Sequence, residues 1–377
     1  VSAKGGSEVV GPDSELLLEP FGWYRAMREA SPIARAGRGW MVFGHEDVQR
    51  VLSDHEHFSS EYGNFTLLNT DPPRHRQLRA LVTQAFTPRA VEGLRPRIAE
   101  IVDELLDGVA GRGRMDVIED FAVPLPVIVI AELLGIPIED RARFKVWSDA
   151  IVTGGSELSF SQASAEMGEY FGRLLEERRR APLGDLMSAL LEARIDGESL
   201  GQADVLSFCI LLLIAGNETT TNLIGNTVIC LDEHPEASAD LSRDPELLVS
   251  AIEEVLRYRS PVQSMFRVTR RAVELGGQRI PAGEGVQAWI GAANRDPAQF
   301  PDPDRFDIRR SPNHHLAFGH GIHFCLGAPL ARLEALVGLG ALVRRLGHLI
   351  VDRRTRLEPL SSNVVYGVRH LPVTFDA

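Results

Sequence analysis

The stretch that decides the fold runs from His315 to Ala335, HLAFGHGIHFCLGAPLARLEA. It holds Cys325, one of three cysteines in 377 residues, with Gly319, Gly321 and Gly327 close by. A helix-like run begins directly behind it. The first amides of a helix lack internal partners and the helix dipole is positive there, so a cysteine just before a helix is biased toward thiolate. Glycines let the backbone pass close to a large flat ligand. On the residues alone three readings stand open: a metal ligand, a buried core cysteine, and a nucleophile with His320 or His323 as its base.

Cys209 and Cys230 sit inside apolar helical runs and read as core residues. There is no Cys-x-x-Cys spacing, which argues against a cysteine zinc site. The net charge of -12 argues against nonspecific nucleic-acid binding and attraction to anionic membranes. The first residues lack the apolar core of a signal peptide. The longest apolar run, Val205–Gly216, is shorter than the ~20 residues a bilayer crossing needs. A cytoplasmic protein with no membrane or nucleic-acid partner is expected.

Most of the chain shows helical periodicity. PFGWYRAMREA, HEDVQRVLSD, DPPRHRQLRALVTQAF, AVEGLRPRIAEIVDELLDGVA and PIEDRARFKVWSDAI are amphipathic, and PLPVIVIAELLG is apolar enough for a buried helix. Strand signals are local. SPIARAGRGWMVFG reads as a hairpin, AVELGGQRIPAGEGVQAWI as β-type runs joined by turns, and the segment from HLIVDRR onward as further short strands. No repeat or low-complexity linker interrupts the pattern. The expectation is one mainly α domain over residues 1–377 with a small β region.

Four spaced positions, Phe318-x-x-Gly321-x-x-x-Cys325-x-Gly327, resemble the haem-binding signature of the cytochrome P-450 monooxygenases. The resemblance implies haem b as cofactor, with Cys325 as the axial ligand of its iron. Thiolate donation favours O–O cleavage. Three other constellations extend the resemblance to nearly the whole chain.

In LLIAGNETTTNLIG, Ala215-Gly216-x-Glu218-Thr219 resembles the family's oxygen-activation segment. Gly216 gives a diatomic ligand room to approach the helix. Thr219 can bond back to the Ala215 carbonyl and loosen the turn. Glu218 and Thr219 then form an acid–alcohol proton relay; the acid is Glu where many relatives carry Asp. The resemblance makes Glu254-x-x-Arg257 half of an ion network completed by Arg305, which shapes the loop before the cysteine. His75 and Arg79, four apart on one helix face, together with Arg267 and His323, match positions that hold the haem propionates.

The implied fold is triangular and mostly α, with haem buried between a long central helix and the cysteine loop. The implied reaction inserts one atom of O2 into an apolar organic substrate, by hydroxylation or epoxidation. The pattern is closest to compact soluble enzymes of bacteria and archaea, with a thermophilic archaeal member similar at both the helix and the cysteine stretch. No Gly-x-Gly-x-x-Gly fingerprint or flavin domain is visible, so a separate ferredoxin-type partner with its NAD(P)H-dependent reductase is implied. Arg74, Arg76, Arg309, Arg310 and Arg332 are candidates for an arginine-rich patch steering that partner. Candidate pocket residues are Phe65, Leu67, Leu68, Val262, Met265, Phe266 and Val365. A peroxide-driven haem enzyme, a haem sensor or carrier, and a cysteine hydrolase are the competing functions.

Overall fold

The computed structural model describes residues 11–375, apart from 38, 63–66, 141–142, 145, 148–149, 151–157 and 196. Contacts divide the chain into two compact units that alternate along the sequence. The first comprises Val1–Gly63, Glu233–Cys325 and Pro359–Val368, and the second Asn64–Asp232, Leu326–Glu358 and Arg369–Ala377. Helix dominates, as the periodicity predicts.

The first unit is built on a five-stranded sheet. In sheet order its strands are Ile33–Ala36, Gly39–Val42, Gly285–Ala288, Met265–Thr269 and Phe58–Ser59. The first two form the expected antiparallel hairpin. Gly285–Ala288 lies parallel to Gly39–Val42 and antiparallel to Met265–Thr269. Val42, Val286, Ala288 and Val273 meet Val48, Val51 and Leu52 of the helix His45–Ser53 in one apolar core. The Asp296 carboxylate accepts the His45 amide at 2.8 Å, satisfying an orphan donor at that helix's start.

The second unit is mostly helical. Its longest element, Gln202–Glu233, has 32 residues. By length and composition it passes as a membrane span. However, every residue from Thr220 to Leu231 is buried within the protein, the pattern of a core helix. Gly225 lets Ile118 approach it, since a Cβ there would lie 2.9 Å from Ile118 Cδ1. The helix Ala328–Leu346 packs along Arg95–Asp107. Ile350–Val351, Pro372–Thr374 and Arg114–Asp116 form a three-stranded sheet in the same unit. The stretch AVEGLRPRIAEIVDELLDGVA, residues 90–110, expected to be helical throughout, is interrupted near Gly93 and Leu94, giving Pro88–Glu92 and Arg95–Asp107.

A buried ion network fixes the irregular chain between Asn294 and Asn313. Glu254 and Arg257, on the helix Leu248–Tyr258, form a bidentate pair with both bonds at 2.8 Å and both side chains at 0% exposure. Arg257 also donates to the carbonyls of Asn294 (2.9 Å), Pro303 (2.8 Å) and Arg305 (3.1 Å). Glu254 accepts from the Asp307 amide and from Asn313. The side chain that completes the network is Arg310, not Arg305. Arg310 Nε lies 3.2 Å from both Glu254 oxygens. Arg305 offers only its carbonyl, and its side chain is exposed.

NRDP, next to this network, is equally committed. Arg295 is sandwiched between the Phe21 and Tyr258 rings, 3.6 and 3.7 Å from their centroids. Asn294 donates to Ser260 Oγ at 2.7 Å and accepts the Leu316 amide at 2.7 Å. Arg257→Met, which removes the bidentate partner of an enclosed carboxylate, is expected to cost about 3–5 kcal/mol. Arg305→Ala, at an exposed side chain, is expected to stay within about 0.5 kcal/mol. Urea unfolding of the two variants checks the ranking; equal losses would contradict it.

Candidate active site

Cys325 is half-buried, between the turn Gly321–His323 and the helix Ala328–Leu346. Its amide donates to the Phe318 carbonyl at 2.8 Å, closing a tight loop over the intervening residues. Gly319 and Gly321 both have positive φ, 72° and 74°, a conformation L side chains rarely adopt. Gly321 has a second reason to lack a side chain. A Cβ there would lie 2.7 Å from Ser53 Cα, so the loop can seat against the helix His45–Ser53 only with glycine. Packing inside the first unit thus accounts for Gly321, where the sequence suggested clearance for a flat ligand. Gly327 has an ordinary φ of -79° and caps the helix behind, its carbonyl accepting the Ala331 amide at 2.9 Å.

Phe318 and Phe324 lie 6.3 Å apart, ring to ring, on either side of the turn. Phe324 is 41% exposed, unusual for a large apolar side chain. His323 is half-buried. In the same unit Arg267 is 3% exposed within the strand Met265–Thr269, opposite Val286, and donates to the Phe266 carbonyl at 2.8 Å.

The helix Gln202–Glu233 supplies the other candidate residues. Its face at Ile214, Ala215, Glu218 and Thr219 is partly or fully exposed, although the next turns are buried all round. The Thr219 hydroxyl donates to the Ala215 carbonyl at 2.8 Å, the back-bond its spacing predicts. The helix nonetheless continues as regular α-helix through that turn. Asn222 Nδ2 donates to Glu218 Oε1 at 3.1 Å, which fixes the acid beside Thr219. At Gly216 a Cβ would lie 2.6 Å from Ile130 Cδ1, so the missing side chain also admits a neighbouring helix. On the helix Arg74–Ala85, His75 is 3% exposed and Arg79 half-buried.

These residues fit a haem. The cysteine has an amide-anchored loop, and basic residues in the helix Arg74–Ala85 and the strand Met265–Thr269 are drawn out of solvent. A face with small residues, an acid and an alcohol is left uncovered just before the fully buried stretch Thr220 to Leu231. Each unit by itself thus carries residues whose chemistry suits a flat, dianionic, iron-bearing ligand: the cysteine loop and buried Arg267 in the first, and buried His75, half-buried Arg79 and the Glu218–Thr219 turn in the second.

The pocket candidates divide. Phe65 lies outside the described residues. In the second unit Leu67 is buried at 7% exposure and Leu68 is 38% exposed. In the first unit Val262 and Val365 form an isolated antiparallel bridge, reinforced by the Gln263 amide donating to the Val364 carbonyl at 2.7 Å. Val262 and Met265 pack on the first unit's core. Phe266 does not join them. Successive strand residues face opposite ways, and its ring stacks edge-on against Tyr62 at 5.0 Å and covers Gly285.

The arginine patch is also reduced. Arg310 belongs to the Glu254 network, Arg74 is paired with Asp204, and Arg309 reaches Asp240 at 3.4 Å.

One titratable group escaped the sequence reading. Glu334, on the helix Ala328–Leu346, is 1% exposed and bonded by the Thr220 hydroxyl, while its Oε1 has no hydrogen-bond partner. Burial pushes its pKa up to about 8. The only sequence signal was a lone acid within an apolar run. By contrast Cys209, buried in the central helix, has its thiol pushed up to about 12 and is inert core.

The Glu334 shift has a definite sign. Below the ordinary carboxylate value of 4.5 both folded and unfolded chains hold the proton. Between 4.5 and about 8 only the folded chain does, so stability falls as pH rises through that window. The slope is at most about 1.4 kcal/mol per pH unit. Glu334→Gln is expected to flatten this decline in Tm, with the largest gain over wild type at the alkaline end. A parallel decline in both proteins would count against the assignment.

The sequence profile described as Cytochrome P450 matches residues 159–371. The chain is 42% identical over 382 residues to the putative cytochrome P450 YjiB of Bacillus subtilis (strain 168), spanning 96% of each chain. It is 42% identical over 386 residues to the erythromycin C-12 hydroxylase of Saccharopolyspora erythraea, covering 97% of this chain and 96% of that one. Among solved structures, CYP109E1 from Bacillus megaterium in complex with testosterone superposes with a TM-score of 0.91 at 45% identity. That match covers 95% of this chain and all of the other.

Proposed function

The chain belongs to the cytochrome P450 family, and on that premise we propose which of its own residues carry out the family's reaction. It is a haem-thiolate monooxygenase that takes O2 as co-substrate and electrons from a redox partner. The cofactor supplies reductive O–O cleavage at a thiolate-ligated iron. The remaining assignments concern the protein.

Cys325 would hold the haem iron through its thiolate, and residues 1–377 would serve as one haem domain. His75, Arg79, Arg267 and His323 neutralise the two propionates. Phe318, Gly321 and Gly327 shape the ligand loop, and Ala215 and Gly216 form the wall beside the oxygen site. Thr219 spends its hydroxyl proton on the Ala215 carbonyl, so its lone pairs are left to accept. Glu218 is the acid that delivers protons beside it, held in reach by Asn222. The observation that most supports this reading is the anchored loop, with the Cys325 amide bonded to the Phe318 carbonyl next to a helix start.

The substrate is an apolar small molecule, with Leu67, Val262, Met265 and Val365 as lining candidates. CYP109E1 holding testosterone supports a steroid-sized ligand. The electron donor is a ferredoxin or similar small protein with its NAD(P)H-dependent reductase, and the enzyme works in the cytoplasm.

A reduced carbon monoxide difference spectrum tests the ligand. The wild type is expected to show a strongly red-shifted Soret band, and Cys325→Ser to lose it. A red-shifted band surviving in Cys325→Ser would reject the assignment. Thr219→Ala is expected to lower product formation about 10²-fold while electron uptake continues and oxygen leaves as hydrogen peroxide. Measuring product, NAD(P)H and peroxide together checks this; full coupling in the variant would remove Thr219 from the relay.

A further inference from the structure

Two consecutive glutamates on the helix Leu248–Tyr258 hold the approach to Cys325. Glu254 takes the segment ending at Asn313, as described above. Glu253 takes His315. The ring Nε2 of His315 lies 3.1 Å from Glu253 Oε2, with the histidine side chain only 4% exposed. At the other ring nitrogen, Nδ1 accepts the Ala317 amide at 3.3 Å. A nitrogen that accepts an N–H carries no proton, so the ring proton sits on Nε2 and points at Glu253. His315 is thereby held in one tautomer and one orientation.

That ring faces the cysteine loop. Its centroid is 6.1 Å from the Phe318 ring, at an interplanar angle of 49°. The Phe318 carbonyl accepts the Cys325 amide. The backbone around the ring is pinned separately, the Leu316 amide to Asn294 and the Gly319 amide to the Leu316 carbonyl at 2.8 Å. His315 thus packs against the ring of the same residue whose carbonyl holds the Cys325 amide.

We propose that His315, locked between Glu253 and the Ala317 amide, is a positioning residue for the axial thiolate, fixing Phe318 and through it the amide bond that presents the Cys325 sulfur. Outer partners of a metal ligand tune the metal even though they never touch it. The inference rests on Cys325 being the haem ligand, as proposed above.

Four substitutions in the haem-loaded protein separate the parts. His315→Phe keeps a ring and removes both bonds. His315→Asn keeps an acceptor for the amide two residues on, as an Asx-turn does, but is too short for Glu253. His315→Gln reaches Glu253 without an acceptor at the Nδ1 position. Glu253→Leu removes the carboxylate and leaves the histidine.

At matched haem content, His315→Phe is expected to change the reduced-to-oxidised ratio at fixed potential about tenfold, or about 59 mV for one electron. Part of its red-shifted carbon monoxide band should also be lost. Asn, Gln and Glu253→Leu should give smaller shifts in the same direction. In the diamagnetic ferrous carbon monoxide form, nitrogen-15 NMR should show the Nε2–H tautomer in wild type and its loss of definition in Glu253→Leu.

Unchanged potential and band in His315→Phe, with only a lower Tm, would make His315 a packing residue and overturn the proposal. An Nδ1–H tautomer in wild type would overturn it too. If His315→Phe fails to load haem, the Asn variant and Glu253→Leu decide by the same readouts. Failure of the ligand assignment looks different, because the wild type itself would then lack the red-shifted band.

Discussion

A carboxylate and a guanidinium, both closed off from water, organise the part of the chain that leads to Cys325. Taking Glu254 and Arg257 out of solvent is costly and is offset only when every donor and acceptor finds a partner. They meet that condition by consuming the carbonyls of Asn294, Pro303 and Arg305, the Asp307 amide and the side chains of Arg310 and Asn313. The consequence is geometric. A loop without regular secondary structure acquires one conformation, because any other would strand a buried charge. Neighbouring Arg295 adds an aromatic clamp of Phe21 and Tyr258 to the same purpose. The thiol therefore emerges from a rigid frame although its own segment is mostly turns.

Much of this was legible in the sequence, for identifiable reasons. Helices such as Phe21–Ala30 and His45–Ser53 announce themselves by period, and the hairpin at Ile33–Val42 by its glycine turn. The cysteine signature is local, so spacing carries it. What spacing does not carry is which of several neighbouring arginines turns inward. Arg305, Arg309 and Arg310 are equivalent as a string, and only the tertiary course of the loop brings Arg310 to Glu254. Glycines mislead in a similar way. Gly216 and Gly321 signal that something must come close, but not that the visitors are Ile130 and Ser53. Strand alternation sets Phe266 on the face opposite Met265, against Tyr62 and Gly285. Glu334 is a lone acid in an apolar run, and only its burial beside Thr220 marks it out.

The central helix shows how a single element reconciles opposing demands. Its composition suits a bilayer, yet Thr221 bonds to the Ala122 carbonyl at 2.9 Å and Thr227 to the Leu223 carbonyl at 2.7 Å. Both buried hydroxyls are satisfied, Thr227 within its own helix, and Thr221 ties the helix to the Ile118–Ala122 segment. The polar turn at Glu218 and Thr219 sits one turn before this well-packed stretch. The backbone that carries Glu218 and Thr219 therefore has little room to shift.

The alternation of the two units along the chain has a consequence for how the protein is made. The five-stranded sheet joins Gly39–Val42 to Gly285–Ala288 in parallel, so its central pairing waits until most of the chain has been synthesised. Each unit also recruits residues beyond 358, Pro359–Val368 for the first and Arg369–Ala377 for the second. Neither can finish on the ribosome ahead of the other. Gly39–Val42 pairs early with Ile33–Ala36 but keeps its other edge open until Gly285–Ala288 arrives, an interval in which non-local folds are exposed to aggregation.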